Sequence, residues 1–340
     1  MCTRVLYQGT EDVVLTARGM DWNDDMRSNM VILPRNVQYI SHVGKNPITW
    51  TSKYGSVAVF GYNAGGTDGI NEKGLAVNLL YLVESDYGND PQAQDLCIVQ
   101  WVQFSLDLFA TVAEAVEYYR TTKLNIVSGT LPNGRSASMH LSVSDSSGDS
   151  AIFEYQNGKL QVHHNRNYTV MTNSPPYNEQ LSLSNYWKNI NGMTFLPGSI
   201  SAADRFVRTT FFLNIIPKSV DKNYISALPE QTYHQQAIAS VLGVIRSAGV
   251  PLGIQDPEKP NISSTLWRTL SDHKSMVYYF DSATSPSIFW VDMKNIDFAN
   301  ITSAMMLPNI QSQLYAGDMS HGFVKYTLPS AQEINQLIKF

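Results

Sequence analysis

The order of strand-like and helix-like segments is the feature that most limits how this 340-residue chain can fold. Its first block contains stretches rich in β-branched and aromatic residues, separated by turn-like sequences such as GTED. These patterns predict strands over residues 3–8, 13–20, 30–35, 56–63 and 75–83. Strands joined by short turns are typical of hairpins, so the block predicts an antiparallel sheet.

Helical patterns then interrupt the strands twice. Apolar residues recur at helical spacing over 95–109, and Thr111 with Glu114 forms a capping box for a helix over 112–120. Further helices are predicted over 201–216 and 235–247. Between and after the helices, strands are predicted over residues 139–145, 150–156, 159–164, 266–272, 276–281 and 287–292.

This block order is unlike the strict alternation of a parallel βα fold. It predicts an α+β fold in which helices cover two stacked antiparallel sheets. No proline- or serine-rich linker, charge block or internal repeat divides the chain. We therefore expect a single domain over residues 1–340.

Charge and hydropathy exclude several kinds of partner. With 24 basic and 29 acidic residues the net charge is −5, which argues against a surface for nucleic acid or anionic lipid. The longest apolar run ends at Ile245 and is too short to cross a bilayer. The N-terminal segment lacks a basic stretch followed by an apolar one. We expect a periplasmic location if a signal peptide has been removed, and a cytoplasmic one if the chain is native as written.

The chain has two cysteines, Cys2 and Cys97, too few for a disulfide framework or a multi-cysteine metal site. His163 and His164 are neighbours on a predicted strand, so they point to opposite faces and cannot bind one metal together. Glycine-rich phosphate motifs and a G-x-S-x-G elbow are absent. The sequence therefore predicts no metal and no other cofactor, and Cys97, in an apolar helical stretch, is interpreted as a buried thiol.

Cys2 stands directly after the initiator methionine. Removal of Met1, which a small second side chain favours, gives Cys2 both a thiol and a free α-amine. Such an amine has a reference pKa of about 7.7–8.0, against about 10.4 for lysine, so it is able to act as a base near neutral pH. Nucleophile and base then belong to one residue. The alternative interpretation is an incidental small apolar residue at the start of a strand.

The segment ARGMDW ends the second strand of the predicted first hairpin, so Arg18 and Asp21 are expected to return beside Cys2. A guanidinium there favours the thiolate, and a carboxylate can orient the amine. Alone, these two residues are more typical of a surface ion pair. Together with Cys2 they indicate nucleophilic catalysis.

Specific motifs occur along almost the whole chain: MCT at the start, ARGMDW, WTSKYGSV, DGINEKGLAVNLLYL, VMTNSPPY and AADRFVR. Through them the sequence resembles the choloylglycine hydrolase family of N-terminal nucleophile hydrolases, which contains penicillin V acylases and conjugated bile salt hydrolases. LWRTLSDHKS, YYFDS and IFWVD resemble its Gram-negative penicillin V acylase-like branch. The resemblance implies a four-layer αββα sandwich with two stacked antiparallel sheets.

The resemblance also implies roles for individual residues. Cys2 matches the nucleophile that takes the acyl group from an amide, with its own amine as base, before water releases the acid. Arg18 and Asp21 match residues that lie against this nucleophile. Arg205, the first arginine of DRFVR, matches a family arginine near it, whereas Arg208 lies three residues further on nearly the same helix face.

Asn173, in MTNSPPY, matches an asparagine whose amide donates to the oxyanion. An amide aimed at the developing charge lowers the barrier by about 3–4 kcal/mol. Tyr81 falls where the family places a second oxyanion residue, acting through its backbone N–H, and its aromatic side chain favours the acylase side of the family. Trp22 is a candidate wall for an apolar acyl group, and Tyr81 is a second substrate-binding candidate.

The sequence thus predicts an amidohydrolase for linear amides, with penicillin V as the first choice of substrate. Bile salt hydrolase and N-acyl-homoserine-lactone acylase stay open, because all three substrates carry an apolar acyl group on a secondary amide. A catalytically silent small-molecule binding protein is the alternative of another class, and the retention of Cys2 and Asn173 argues against it. By resemblance, the protein is also expected to form a homotetramer.

Overall fold

The computed structural model describes residues 1–190, 195–258 and 262–340, and two sheets lie face to face within it. The first sheet has the spatial order β14 (Val170–Met171), β1 (Cys2–Gln8), β2 (Val14–Trp22), β15 (Ser264–Asp272), β16 (Val277–Ser282), β17 (Ile288–Asp292) and β19 (Gly317–Asp318). Its pairings are antiparallel except that between β17 and β19.

The second sheet is antiparallel throughout its described pairings. Its spatial order is β13 (Lys159–His164), β12 (Ser150–Gln156), β11 (Met139–Ser144), β8 (Ala76–Tyr81), β7 (Gly65–Asn71), β6 (Ser56–Gly61), β3 (Asn29–Leu33), β18 (Met305–Leu307) and β20 (Val324–Lys325). Two short ribbons lie outside these sheets: β4 (Gln38–Ile40) with β5 (Thr49–Thr51), and β9 (Gln94–Cys97) with β10 (Leu124–Val127).

Helices cover the outer face of each sheet. They are α1 (Trp101–Leu108), α2 (Val112–Thr121), α3 (Tyr177–Lys188), α4 (Ala202–Ile215), α5 (Tyr233–Ser247) and α6 (Ala331–Leu337). The pair α1 and α2 packs on the nine-stranded sheet, and the pair α4 and α5 packs on the seven-stranded sheet. The layers therefore run helix, sheet, sheet, helix, which confirms the α+β fold and the αββα sandwich. No helix in the described ranges is long and apolar enough to span a membrane.

The first hairpin is buried on both faces. Its strands β1 and β2 lie inside the seven-stranded sheet, with the other sheet on one side and α4 and α5 on the other. All nine residues of β2 are buried in consequence. The register sets Cys2 opposite Met20 and Arg4 opposite Arg18, so the end of β2 returns to the start of β1 as the hairpin pattern predicts.

The predicted helix over 95–109 is wrong at its start. The residues of β9 pair in parallel with β10, and α1 begins only at Trp101. A fully buried apolar run has a similar pattern in a strand and in a helix, and here pairing with a distant strand decides its form. Cys97 therefore ends a strand, although it is buried as expected.

Two local predictions have mixed outcomes. Thr111 caps α2 by accepting from the Glu114 N–H at 3.2 Å, but the Glu114 carboxylate accepts from Ala110 instead of closing a capping box on Thr111. His163 and His164 do point apart. Their Nε2 atoms lie 3.3 Å from Glu154 and 2.8 Å from Asp149, respectively.

A partly buried ion pair joins α5 to the seven-stranded sheet. His234, in the first turn of α5, is hydrogen-bonded to the buried carboxylate of Asp272 at the end of β15. This hydrogen bond raises the pKa of His234, and the charge of Glu230 acts in the same direction. The pair therefore stabilises the fold fully below the pKa of an unfolded histidine, and the stabilisation is lost as pH rises through the folded value.

We predict that His234→Gln removes this pH dependence. Relative to the variant, the wild-type protein should lose about 1 kcal/mol of unfolding free energy between about pH 6 and pH 9. The effect is small because the histidine side chain is 32 % exposed and solvent screens the pair. Urea denaturation of both proteins across this pH range measures it, and parallel stability curves would contradict the assignment.

Candidate active site

Cys2 begins β1, and its thiol points into the space between the two sheets, where the residue is 2 % exposed. Its Sγ lies 3.5 Å from Arg18 Nη2 and 3.7 Å from Met20 Sδ. The hairpin register explains both contacts, because Met20 is the cross-strand partner of Cys2 and Arg18 lies on the same face of β2. A fixed positive charge therefore stands beside the sulfur.

Arg18 is fully buried within the sandwich. Its Nη2 donates to the carbonyl of Leu79 at 2.9 Å, and the guanidinium lies 4.7 Å from the centre of the Trp267 ring. The carboxyl of Asp68 is buried in the same layer. Burial raises the pKa of Asp68, and the charge of Arg18 opposes this shift.

A second strand pairing brings Asn173 to the nitrogen of Cys2. In the register of β1 with β14, Arg4 faces Met171, so Asn173 follows at the level of Cys2. Asn173 Oδ1 accepts from the Cys2 nitrogen at 2.6 Å. With Met1 attached this nitrogen is a peptide amide, and it stands in the place of the α-amine that Cys2 has as a first residue.

The side chain of Asp21 does not hold that nitrogen, contrary to expectation. Its main chain contacts Met1 instead: its carbonyl accepts from the Met1 amine at 2.7 Å, and its N–H donates to the Met1 carbonyl at 2.9 Å. The Asp21 carboxylate accepts from Thr265 at 2.5 Å and lies 3.7 Å from Arg205 Nη1. Two buried opposite charges attract each other, so the carboxylate faces the arginine rather than Cys2.

Arg205 connects the parts of the site. It lies in the first turn of α4, and its Nη1 donates to the Cys2 carbonyl and to Thr3 Oγ1, both at 2.5 Å. Its Nη2 donates to Asn173 Oδ1 at 2.8 Å. Burial lowers the pKa of Arg205, and the charge of Asp21 opposes this shift.

Arg208 is directed elsewhere, although it lies one helical turn from Arg205. It donates to the carbonyls of Ser247, Pro197 and Ser199. Between the two arginines, the structure therefore places the first beside Cys2.

The amide of Asn173 has three contacts that fix its orientation. Its oxygen accepts from Cys2 and Arg205, and its Nδ2 donates to the Tyr81 carbonyl at 2.6 Å. An amide nitrogen carries two hydrogens. The second one remains to donate to an atom bound beside Cys2.

An apolar cavity opens at the thiol. The empty space within it, open mouth included, is about 580 Å³. Most of its lining is apolar, and it includes Met20, Met26, Leu79, Val99, Met139 and Ile338. Cys2 and Arg18 contribute polar groups at its wall, so the cavity suits an apolar group whose polar end reaches the sulfur.

Trp22 and Tyr81 both line this cavity, with ring centres 5.8 Å apart. The indole N–H of Trp22 donates to the Tyr62 hydroxyl at 2.6 Å, and that hydroxyl donates to Asp24 at 2.8 Å. Arg135 covers the indole from outside, 5.5 Å from its centre. Trp22 is therefore both a buried core residue and part of the cavity wall.

Three residues around Trp22 were not predicted from the sequence: Tyr62, Asp24 and Arg135. Tyr62 lies in the turn after β6 with a left-handed φ of 54°. A tyrosine in a hairpin turn gives no sequence signal for contact with a distant tryptophan. Asp24, two residues after Trp22, had a weak signal in its closeness to the ARGMDW motif.

An αββα sandwich whose first strand presents a thiol beside an arginine has the architecture of the N-terminal nucleophile hydrolases. The family model of linear amide C–N hydrolases, choloylglycine hydrolase family, matches residues 2–307. The chain belongs to this family and is a hydrolase of linear amide C–N bonds.

Individual relatives agree with this assignment. The chain is 44 % identical to a penicillin V acylase of Pectobacterium atrosepticum, over 95 % of this chain and 89 % of the relative. A solved penicillin V acylase of Agrobacterium tumefaciens is also 44 % identical, with a TM-score of 0.86 over 97 % of this chain and 99 % of that one. A conjugated bile acid hydrolase of Clostridium perfringens shares the fold at 18 % identity, with a TM-score of 0.75 over 94 % and 98 % of the two chains.

The two cysteines should differ in reactivity. Cys2 lines an open cavity beside a guanidinium, whereas burial raises the pKa of the Cys97 thiol to about 12. We predict that iodoacetamide labels Cys2 and leaves Cys97 unmodified in the folded protein, and that both react in urea. Peptide mass spectrometry identifies the modified residue. Labelling of Cys97 in the folded protein would contradict the assignment.

Proposed function

We propose that this protein is a penicillin V acylase that cleaves the side-chain amide through a thioester on Cys2. The single observation that carries the proposal is that Cys2 lines an apolar cavity while its nitrogen is hydrogen-bonded to the Asn173 amide. The two relatives named as penicillin V acylases, each 44 % identical, support the choice of substrate.

In the proposed first half-reaction, Cys2 is the first residue of the mature chain. Its α-amine takes the thiol proton, and the sulfur attacks the amide carbonyl carbon. The Asn173 Nδ2–H and the Tyr81 backbone N–H donate to the oxyanion that forms. The C–N bond then breaks, and the α-ammonium returns the proton to the departing amine. The product is a thioester between Cys2 and the acyl group.

In the second half-reaction, the same amine removes a proton from water, which attacks the thioester carbonyl. The tetrahedral intermediate collapses, the C–S bond breaks, and the carboxylic acid leaves. The sulfur regains its proton from the amine. One nitrogen therefore serves as base and acid in both halves, and its hydrogen bond to Asn173 Oδ1 orients it.

The charged residues have supporting roles in this proposal. Arg18 places its positive charge 3.5 Å from the sulfur. Arg205 neutralises Asp21 and holds the Asn173 oxygen, which leaves Nδ2 directed away from the arginine. Removal of either member of a buried ion pair leaves the other charge uncompensated, at a cost of about 3–5 kcal/mol.

We propose that the two aromatic side chains of the cavity, Trp22 and Tyr81, determine which acyl group binds. The faces of Trp22 and Tyr81 offer a surface for a flat apolar group such as phenoxyacetyl, and three methionines supply an adaptable lining. The substrate amide lies at the mouth of this cavity, beside Cys2. The leaving amine then points towards solvent.

We predict that Cys2→Ala abolishes hydrolysis of penicillin V while the protein still folds, because alanine fills the same buried position without a nucleophile. The matched control is Cys97→Ala, the same substitution at the other buried cysteine, which should retain the wild-type rate. Assays of phenoxyacetic acid release measure both. Residual turnover at the wild-type rate in Cys2→Ala would refute the mechanism.

The same assay, run in parallel with glycocholate and a long-chain N-acyl-homoserine lactone, tests the substrate. We expect the highest kcat/KM for penicillin V, and a negligible rate on it would overturn the choice. Intact-protein mass spectrometry adds an independent test. Fully active protein that retains Met1 would exclude the α-amine as base.

We also propose that the protein forms a homotetramer, as its resemblance to the family implies. Exposed apolar side chains on and after α3 support assembly: Leu183, Tyr186 and Phe195 are 41 %, 62 % and 61 % exposed. Sedimentation equilibrium measures the state, and we predict a mass four times that of the chain. A monomer at all concentrations would exclude the assembly.

A further inference from the structure

The backbone on both sides of Asn173 is held by one side chain of α3. Gln180, in the first turns of that helix, is 1 % exposed. Its Nε2 donates to the carbonyls of Asn173 and of Pro175, the latter at 2.6 Å. Its Oε1 accepts from Thr172 Oγ1 at 2.8 Å. Every polar atom of this amide thus binds the segment that carries Asn173.

A buried histidine, hydrogen-bonded to a buried glutamate, holds the preceding carbonyl. His140 Nε2 donates to the Thr172 carbonyl at 2.9 Å, and its Nδ1 lies 2.9 Å from Glu154 Oε1. Burial alone would raise the pKa of Glu154, but hydrogen bonds from His140 and His163 lower it to about 2. The two ring nitrogens of His140 thus connect the Thr172 carbonyl to Glu154.

The same carboxylate fixes the start of α3. Glu154 Oε2 accepts from the backbone N–H of Tyr177, the first residue of the helix, at 3.1 Å. The helix that supplies Gln180 and the histidine that holds Thr172 are thus both attached to one buried carboxylate on β12. This arrangement leaves residues 172–175 little freedom to shift relative to the sheet.

The orientation of the Asn173 side chain depends on the position of this backbone. Its amide contacts Cys2, Arg205 and the Tyr81 carbonyl at 2.6–2.8 Å, and each contact depends on where its Cα lies. Oxyanion stabilisation depends on the position of the donor, and a displacement of about 1 Å costs about a hundredfold in rate. A group that fixes the backbone here therefore acts on the rate of the chemical step.

We propose that Gln180 is a positioning residue, which sets the Asn173 amide at the oxyanion site through its hydrogen bonds to the carbonyls of Asn173 and Pro175. The inference rests on the oxyanion role of Asn173 in the proposed function. Gln180 itself does not line the cavity, so it has no contact through which to bind the acyl group directly.

The test compares Gln180→Met with a matched control. Gln236, on α5, is also a buried glutamine that holds loop backbone: its Nε2 donates to the Ser219 carbonyl and its Oε1 accepts from the Asp221 N–H. For penicillin V hydrolysis, we expect Gln180→Met to lower kcat at least about tenfold with KM changed less than about threefold. Gln236→Met should leave both constants within about twofold of wild type.

Thermal unfolding of both variants separates positioning from loss of fold. Both should lose comparable stability, because each leaves buried backbone carbonyls without a donor. If Gln180→Met does not fold, Gln180→Glu replaces it. That variant keeps the side-chain shape and the acceptor for Thr172, but its buried, protonated carboxyl donates to only one of the two carbonyls, so we still expect a loss of kcat with KM little changed.

A double-mutant cycle with Asn173→Ala shows whether Gln180 acts through Asn173. We expect Asn173→Ala alone to lower kcat about 10²–10³-fold, and addition of Gln180→Met to cause no further loss. Full additivity of the two effects, or an unchanged kcat in Gln180→Met, would overturn the positioning role and leave the proposed function intact. A wild-type kcat in Asn173→Ala would instead overturn the oxyanion role of Asn173 itself, and the inference with it.

Discussion

The hydrogen bond between the Cys2 nitrogen and the Asn173 amide is the contact on which the site depends. It joins the first strand of the sheet to the segment that follows β14, and the pairing register of those strands brings its two atoms within 2.6 Å. Terminal residues are usually mobile unless the fold ties them down. Here strands on both sides and a guanidinium from α4 hold residue 2, so its sulfur and nitrogen keep fixed directions.

Buried charge is the second constraint. Arg18, Arg205 and Asp21 are each at most 2 % exposed, although isolated charges are costly to bury. The fold offsets this cost by pairing Arg205 with Asp21 and by setting Arg18 over an aromatic ring and beside a carbonyl. Of these three charges, Arg18 lies beside the sulfur and lines the apolar cavity, so most of the cavity wall stays free to accept an acyl group.

Local patterns predicted the parts of the site that belong to the first hairpin. The turn after residue 8 and the β-rich segments around it were enough to return Arg18 to Cys2. The partner of the Cys2 nitrogen was not predictable in this way, because β14 is two residues long and has no pattern of its own. The start of α1 was predicted too early, because the residues before it pair with a distant strand. Helix α3 was not predicted, because a buried glutamate from another part of the chain determines where it begins. The residue types were enough to predict nucleophilic catalysis by a cysteine. The tertiary structure was needed to show that Asn173, rather than Asp21, binds the Cys2 nitrogen.

The cavity wall includes Ile338, so residues from opposite ends of the described chain line a single cavity. Cys2 precedes Ile338 by almost the whole described sequence, so a ribosome makes Cys2 long before Ile338. During synthesis Cys2 is therefore present before the cavity wall around it is complete. An incomplete chain thus has the Cys2 thiol but lacks the Ile338 part of the cavity wall, so the finished cavity forms only once the late part of the described chain has folded against the early part.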